Sequence, residues 1–176
     1  SWWDQTAVFV TGDHGEGFGE HGIEFHGYHL YAAQTKVPLL ARIPGVSPSK
    51  VTMAVGHVDL MPTLANLVGT QPAPWMAGQS LLGVMSGQAP SNESRVLFQE
   101  VKFEGPSDRR GAISGCFHLL YDLIPAAKRE LYNLCVDPDE TKDLSSAKAN
   151  RGDFERLVEA TQSWIDATQF PPAATQ

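Results

Sequence analysis

The spacing of apolar positions changes character along this chain. Thr6-Ala7-Val8-Phe9-Val10-Thr11 is an unbroken β-branched and aromatic run, the pattern of a strand buried on both faces. It stops at Gly12-Asp13-His14-Gly15-Glu16. Residues 12–22 carry five glycines, too many for a helix interior, so a loop at the carboxyl end of that strand is predicted. His29–Thr35 predicts a short helix. Lys36–Gly45 predicts a second strand, with Pro38 near its start, where a missing N–H is tolerated. From Asp59 the period becomes helical: Asp59 as N-cap, Pro62 in the first turn, Leu64, Leu67 and Val68 on one stripe, and Gly69 as the stop. Ser80–Met85 predicts one short helical turn.

The stretch 87–94, Gly-Gln-Ala-Pro-Ser-Asn-Glu-Ser, reads as a boundary. Beyond it, Arg95–Val101 predicts a strand. Arg110–Cys116 and Phe117–Leu123 form either one long strand or a hairpin, and Glu130–Leu134 forms another strand. Short polar turns between them predict antiparallel pairing. Val136–Thr141 is a turn cluster. A final helix is predicted over 153–168, with Phe154, Leu157, Val158, Thr161, Trp164 and Ile165 on one face and Pro171-Pro172 ending it. The division that follows is an α/β segment, 1–88, and an antiparallel sheet with a helix, 89–176.

Composition narrows the chemistry. The chain has 176 residues, a hydrophobic fraction of 42% and a net charge of −7. That charge argues against a nucleic-acid surface, which needs a basic stripe. A small anionic substrate stays compatible, because a bound cation inverts the local field. No apolar run is long enough to span a bilayer. The chain enters a buried-type strand within a few residues of Ser1, and a parallel sheet needs neighbours on both sides. A preceding α/β half is therefore expected. Cys116 and Cys135 match no zinc spacing; they read as two separate half-buried thiols, with a disulfide between adjacent strands as the alternative. Trp75 reads as a satellite core contact and Arg109-Arg110 as a solvated basic spot at a turn.

Four of the six histidines, His14, His21, His26 and His29, lie between residues 14 and 29. Adjacent side chains in an extended strand face opposite ways, so Asp13 and His14 converge on one ion only where the backbone turns. The strand-to-glycine-loop junction supplies that turn. An oxygen and a nitrogen donor suit Zn, Mn, Fe, Mg or Ca, and two ligands alone do not hold a catalytic metal.

Thr11-Gly12-Asp13-His14-Gly15-Glu16-Gly17-Phe18-Gly19-Glu20-His21-Gly22 resembles the Asp-His-Gly-Glu segment of sulfatases and their relatives in the alkaline phosphatase superfamily. The similarity continues through Phe25-His26-Gly27-Tyr28-His29, Val37-Pro38-Leu39-Leu40, His57-Val58-Asp59 and Gly78-Gln79-Ser80. It ends with Glu130-Leu131-Tyr132-Asn133-Leu134 and Asp137-Pro138-Asp139-Glu140-Thr141. The resemblance implies an α/β fold: the C-terminal part of a mainly parallel sheet sandwiched by helices, then a small antiparallel sheet packed with a C-terminal helix. It implies Asp13 and His14 as metal ligands and His26 as the catalytic residue that contacts the substrate anion. His21 and His29 fall to support, and Glu16 to an orienting carboxylate.

The implied cofactors are one divalent ion, Ca, Mn or Zn, and a formylglycine in an N-terminal half. The family's nucleophile signature, Cys-x-Pro-Ser or Cys-x-Ala-Ser, matches neither Cys116 nor Cys135. The implied activity is hydrolysis of a small anionic sulfate ester of a sugar, aryl or lipid compound, in an extracytoplasmic or membrane-associated setting. The alternatives are a phosphate or phosphonate ester hydrolase, a phosphoglycan transferase of the same superfamily, and a non-catalytic binding module. The 176 residues alone are expected to be inactive.

Overall fold

The computed structural model describes residues 1–90, 92–103, 107–124 and 127–168. The elements follow as β1 (Val8–Thr11), β2 (Gly17–Phe18), β3 (Glu24–Phe25), α1 (Ala32–Thr35), β4 (Leu39–Arg42), α2 (Leu60–Leu67), α3 (Leu82–Met85), β5 (Leu97–Phe103), β6 (Ser107–Ser114), β7 (Phe117–Ile124), β8 (Arg129–Asn133) and α4 (Arg151–Thr168). The chain divides into two units. Ser1–Gly12 groups with Pro38–Leu97, and Asp13–Val37 groups with Phe98–Gln176. The expected Pro171-Pro172 helix stop lies outside the described residues.

In the first unit β1 pairs antiparallel with β4, Val8 opposite Arg42 and Thr11 opposite Leu39. The expectation that residues 6–11 are buried on both faces fails. Val10 is 54% exposed and Leu40 64%, because a two-stranded ribbon does not enclose both faces of either strand. Arg42 ties the preceding turn to β4: Nη1 donates to the carbonyls of Trp3 and Thr6 at 2.9 and 2.7 Å, and the guanidinium sits 4.4 Å from the Trp3 ring centre.

Helix α2 starts where the sequence places it, but Asp59 does not cap it with its side chain. The carboxylate instead accepts N–H bonds from Gly56 and Gln79, both at 2.9 Å, and a two-pronged contact from Arg95 at 2.8 and 2.6 Å. Thr63 completes the arrangement: its hydroxyl donates to the Asp59 carbonyl and accepts the Leu81 N–H. Ile43, Met53, Pro62 and Leu81 are buried apolar side chains of this unit. Trp75, expected against a satellite core, is 78% exposed.

The second unit is built on a four-stranded sheet of order β5-β6-β7-β8. β6 and β7 form a tight hairpin rather than one long strand, with Ser114 opposite Phe117 and Gly115 at φ +55° making the turn. Helix α4 lies against β6 and β7. It buries Leu157, Thr161 and Ile165, and Trp164 stacks on Phe98 at 4.9 Å, so the predicted apolar face is the packed one. Residues 13–37 belong with this sheet: Leu30 packs with Leu120 and Tyr132, flanked by Tyr31 and Val101.

Cys116 and Cys135 are joined as a disulfide across the ends of β7 and β8, which replaces the expectation of two separate thiols. Phe117 pairs with Asn133, so the hairpin register itself brings the two cysteines together. Arg109 and Arg110 are not solvated. Their side chains are mostly buried and paired with Asp122 and Asp108.

Candidate active site

The glycine-rich stretch folds into a small frame. Gly17 pairs with Phe25 and Phe18 with Glu24, making the β2–β3 ribbon. Gly15 donates its N–H to the Gln34 carbonyl at 2.8 Å. A Cβ on Gly15 would sit 2.1 Å from the Ala33 carbonyl oxygen, so only glycine permits this approach. Phe25 lies at φ +70° and His21 at φ +58°, left-handed values that strain a side-chain-bearing residue by roughly 1–3 kcal/mol. Gln34, buried on α1, holds the Phe25 carbonyl through its Nε2 at 3.1 Å and accepts the His29 N–H at 3.4 Å.

This frame brings Asp13, His14, Glu16 and His26 together. The His14 N–H donates to Asp13 Oδ1 at 3.1 Å, and His14 Nδ1 donates to the Gly15 carbonyl at 2.8 Å. That contact fixes the tautomer and leaves His14 Nε2 as a lone-pair donor, 3.7 Å from Asp13 Oδ2. Two ligand atoms bound to one ion at about 2.0–2.5 Å stand roughly 3–4 Å apart, so the separation fits two neighbouring positions of a coordination shell. Among the described residues no group of three or more His, Cys, Asp or Glu side chains converges as a complete site. Asp13 is held ionised below the usual carboxylate range, first by its own backbone N–H and then by that of His14.

His26 stacks on His14 with ring centres 3.9 Å apart. Its Nδ1 donates to Glu16, 3.1 Å from Oε2 and 3.3 Å from Oε1. Glu16 thus orients the imidazole through Nδ1. His21 and His29 go elsewhere. His21 stacks on Tyr31 at 3.8 Å, and its Nε2 meets the Asp139 carbonyl at 3.1 Å. His29 contacts Arg109. Burial, then the Arg109 charge, pushes its imidazole down to about 4, so it is neutral near pH 7. Gln34 gave no chemical signal in the sequence; Glu140 lies in the Asp137–Thr141 segment of the family resemblance, which did not mark it as a support of this frame.

Comparison with known proteins bears on what such a cluster serves. Residues 2–70 match the Sulfatase family model. Over 142 residues the chain is 30% identical to the uncharacterized sulfatase YidJ of Escherichia coli, covering 80% of this chain. The chain belongs to the sulfatase family. It is also 35% identical over 181 aligned positions to human N-acetylglucosamine-6-sulfatase, covering 81% of this chain. It spans 28% and 32% of the lengths of those two relatives.

The fold is that of solved sulfatases, which is alkaline-phosphatase-like. A putative sulfatase from Bacteroides thetaiotaomicron superposes with a TM-score of 0.81 at 23% identity, covering 92% of this chain and 36% of that one. The phosphonate monoester hydrolase of Silicibacter pomeroyi shares the fold at a TM-score of 0.77 and 23% identity, covering 95% of this chain and 36% of that one.

Proposed function

We propose that the whole protein carrying this chain hydrolyses sulfate esters, with sulfated sugars as the substrate class. The observation that carries this reading is the juxtaposition of an oriented donor, His26 on Glu16, with the Asp13–His14 ligand pair, the two imidazoles stacked at 3.9 Å. The sugar class is supported by the relatedness to human N-acetylglucosamine-6-sulfatase. It is supported too by a solved fold neighbour described as bound to its substrate D-glucosamine-2-N,6-O-disulfate. The Cys116–Cys135 disulfide fits an oxidising, extracytoplasmic setting.

Asp13 and His14 would hold one divalent cation, Ca, Mn or Zn, with ligands supplied from outside these residues. When bound, that ion supplies positive charge that polarises the sulfate oxygens and favours nucleophile deprotonation. The chain's own residues do the following. Asp13 enters the site as an anion. His14 presents the Nε2 lone pair because its Nδ1–H donates to the Gly15 carbonyl. His26 Nε2 passes its proton to the ester oxygen as the nucleophile's oxygen bonds to sulfur and the ester S–O bond breaks, and Glu16 holds the ring in place through Nδ1. A formylglycine nucleophile would come from outside these residues, so the 176 residues alone turn over no ester.

The test uses the whole protein with p-nitrophenyl sulfate and glucosamine 6-sulfate, and p-nitrophenyl phosphate as the competing class. His26→Ala is expected to lower kcat by about 10²–10⁴, and Asp13→Ala to lower bound metal measured by mass spectrometry. Unchanged metal content in Asp13→Ala removes Asp13 from the ligand set. Faster turnover of the phosphate than of either sulfate overturns the substrate class. Turnover of p-nitrophenyl sulfate by the isolated 176 residues overturns the division of labour.

A further inference from the structure

We propose that Glu140, buried in the loop after β8, is a positioning residue for the candidate site, acting through α1. Its two carboxylate oxygens are used separately. Oε1 accepts from His118 Nδ1 at 2.5 Å, and Oε2 accepts the Ala32 N–H at 2.6 Å, the first N–H of α1. His118 and Glu140 are both fully buried, and His118 Nε2 is held on its other side by Gln99 at 2.9 Å. The anchor is therefore rooted in β7 and β5 of the four-stranded sheet and reaches out to one short helix.

That helix holds the site residues. Gln34, two residues after Ala32, fixes the Phe25 carbonyl with its side chain, and its own carbonyl takes the Gly15 N–H. Phe25 precedes His26, and Gly15 follows His14. The path runs His118–Glu140–Ala32–Gln34 and then divides to the two imidazoles that stack. The residue before Glu140 adds a second tie, since the Asp139 carbonyl meets His21 Nε2 at 3.1 Å. Both ends of the path hold strained backbone: Glu140 at φ +55° and Phe25 at φ +70°. A left-handed glutamate persists where the surrounding structure over-determines it, and here both side-chain oxygens are held.

Helix α1 has only four residues, and a four-residue helix has no stability of its own. Its place depends on what grips its ends. Glu140 grips the start, so the geometry of His14 and His26 depends on a carboxylate more than a hundred residues away in sequence. This role rests on the proposed sulfatase reading only for its catalytic consequence; the structural coupling stands apart from it.

The test is Glu140→Gln in the whole protein. Glutamine offers one acceptor oxygen to two donors, so either His118 or Ala32 loses its partner. Amide hydrogen exchange is read at Gly15, Ala32, Gln34 and Thr35, with Ala112 and Leu119 in the β6–β7 ladder as internal reference. The expected result is at least tenfold faster exchange at the first group with the ladder unchanged. Alongside it, kcat should fall at least tenfold with KM within threefold, because a displaced His26 weakens the transition state more than binding.

Gln34→Met removes the side-chain contacts to the Phe25 carbonyl and the His29 N–H without touching the buried pair, and is expected to speed exchange at His29 at least tenfold with the ladder unchanged. It replaces Glu140→Gln as the deciding variant should that protein not fold. Equal acceleration at all amides, or none at residues 15–35, overturns the positioning role. If the unmodified protein cleaves no sulfate ester, the proposed function fails and the exchange pattern alone decides the coupling.

Discussion

Asp59→Ala is the sharpest probe of the first unit. The Asp59 side chain is wholly buried and accepts four hydrogen bonds: two from Arg95, one from Gly56 N–H and one from Gln79 N–H. Arg95 is only 12% exposed, so truncating Asp59 leaves a guanidinium poorly placed to find water. Removing one partner of a buried pair costs roughly 3–5 kcal/mol. Two backbone donors left unmade would add about 1–3 kcal/mol each if fully dry, but the vacated space admits water, so the terms overlap. We expect a loss of about 4 kcal/mol. With a urea slope of about 2 kcal/mol/M, the unfolding midpoint falls by roughly 2 M.

Arg95→Met should cost less, about 2–3 kcal/mol, because the carboxylate keeps its two backbone donors. The double variant should fall short of the sum by at least about 1 kcal/mol, the mark of a direct contact. The assay is urea unfolding of the whole protein followed by tryptophan fluorescence and circular dichroism. An Asp59→Ala loss below about 1 kcal/mol, or strict additivity in the double variant, would show that this carboxylate is a bystander and refute the argument.

Other perturbations follow from single contacts. His29 is held near 4 by burial and Arg109, so the folded protein resists protonating it while the unfolded chain takes up that proton below about 6.5. Stability from this site is therefore complete above pH 6.5 and falls as pH drops toward 4; His29→Gln should flatten that part of the pH–stability curve, and an imidazole NMR titration near 6.5 would contradict it. Replacing both Cys116 and Cys135 by Ser opens a link between residues 19 apart, worth about 2–3 kcal/mol in calorimetry; an unchanged melting temperature under reductant would remove it as a stabiliser. Gly15→Ala drives a Cβ into the Ala33 carbonyl, with an expected loss of about 2 kcal/mol and weaker protection of the Gly15 amide; a neutral effect would mean that the approach is not needed.

The candidate site was legible because its parts are close in sequence. Asp13, His14, Glu16 and His26 span fourteen positions, glycines mark the turn that lets neighbours converge, and a short ribbon closes the loop. Helices α2 and α4 were legible because packing repeats at the helical period. What the sequence hid shares one physical feature: a single polar contact joining distant segments. Asp59 was placed correctly at a helix start, yet its donors come from positions 56, 79 and 95. Glu140 sits in a turn cluster and in a segment that carries the family resemblance, yet neither names its partners, which are at 32 and 118. The Cys116–Cys135 link likewise depends on the β7–β8 register, which no spacing between the two cysteines reveals. Periodicity reports which face is buried and carries no information about which lone polar group meets which. In this chain the candidate-site groups are local, whereas the contacts proposed to support them reach from Gln34 to Glu140 and His118.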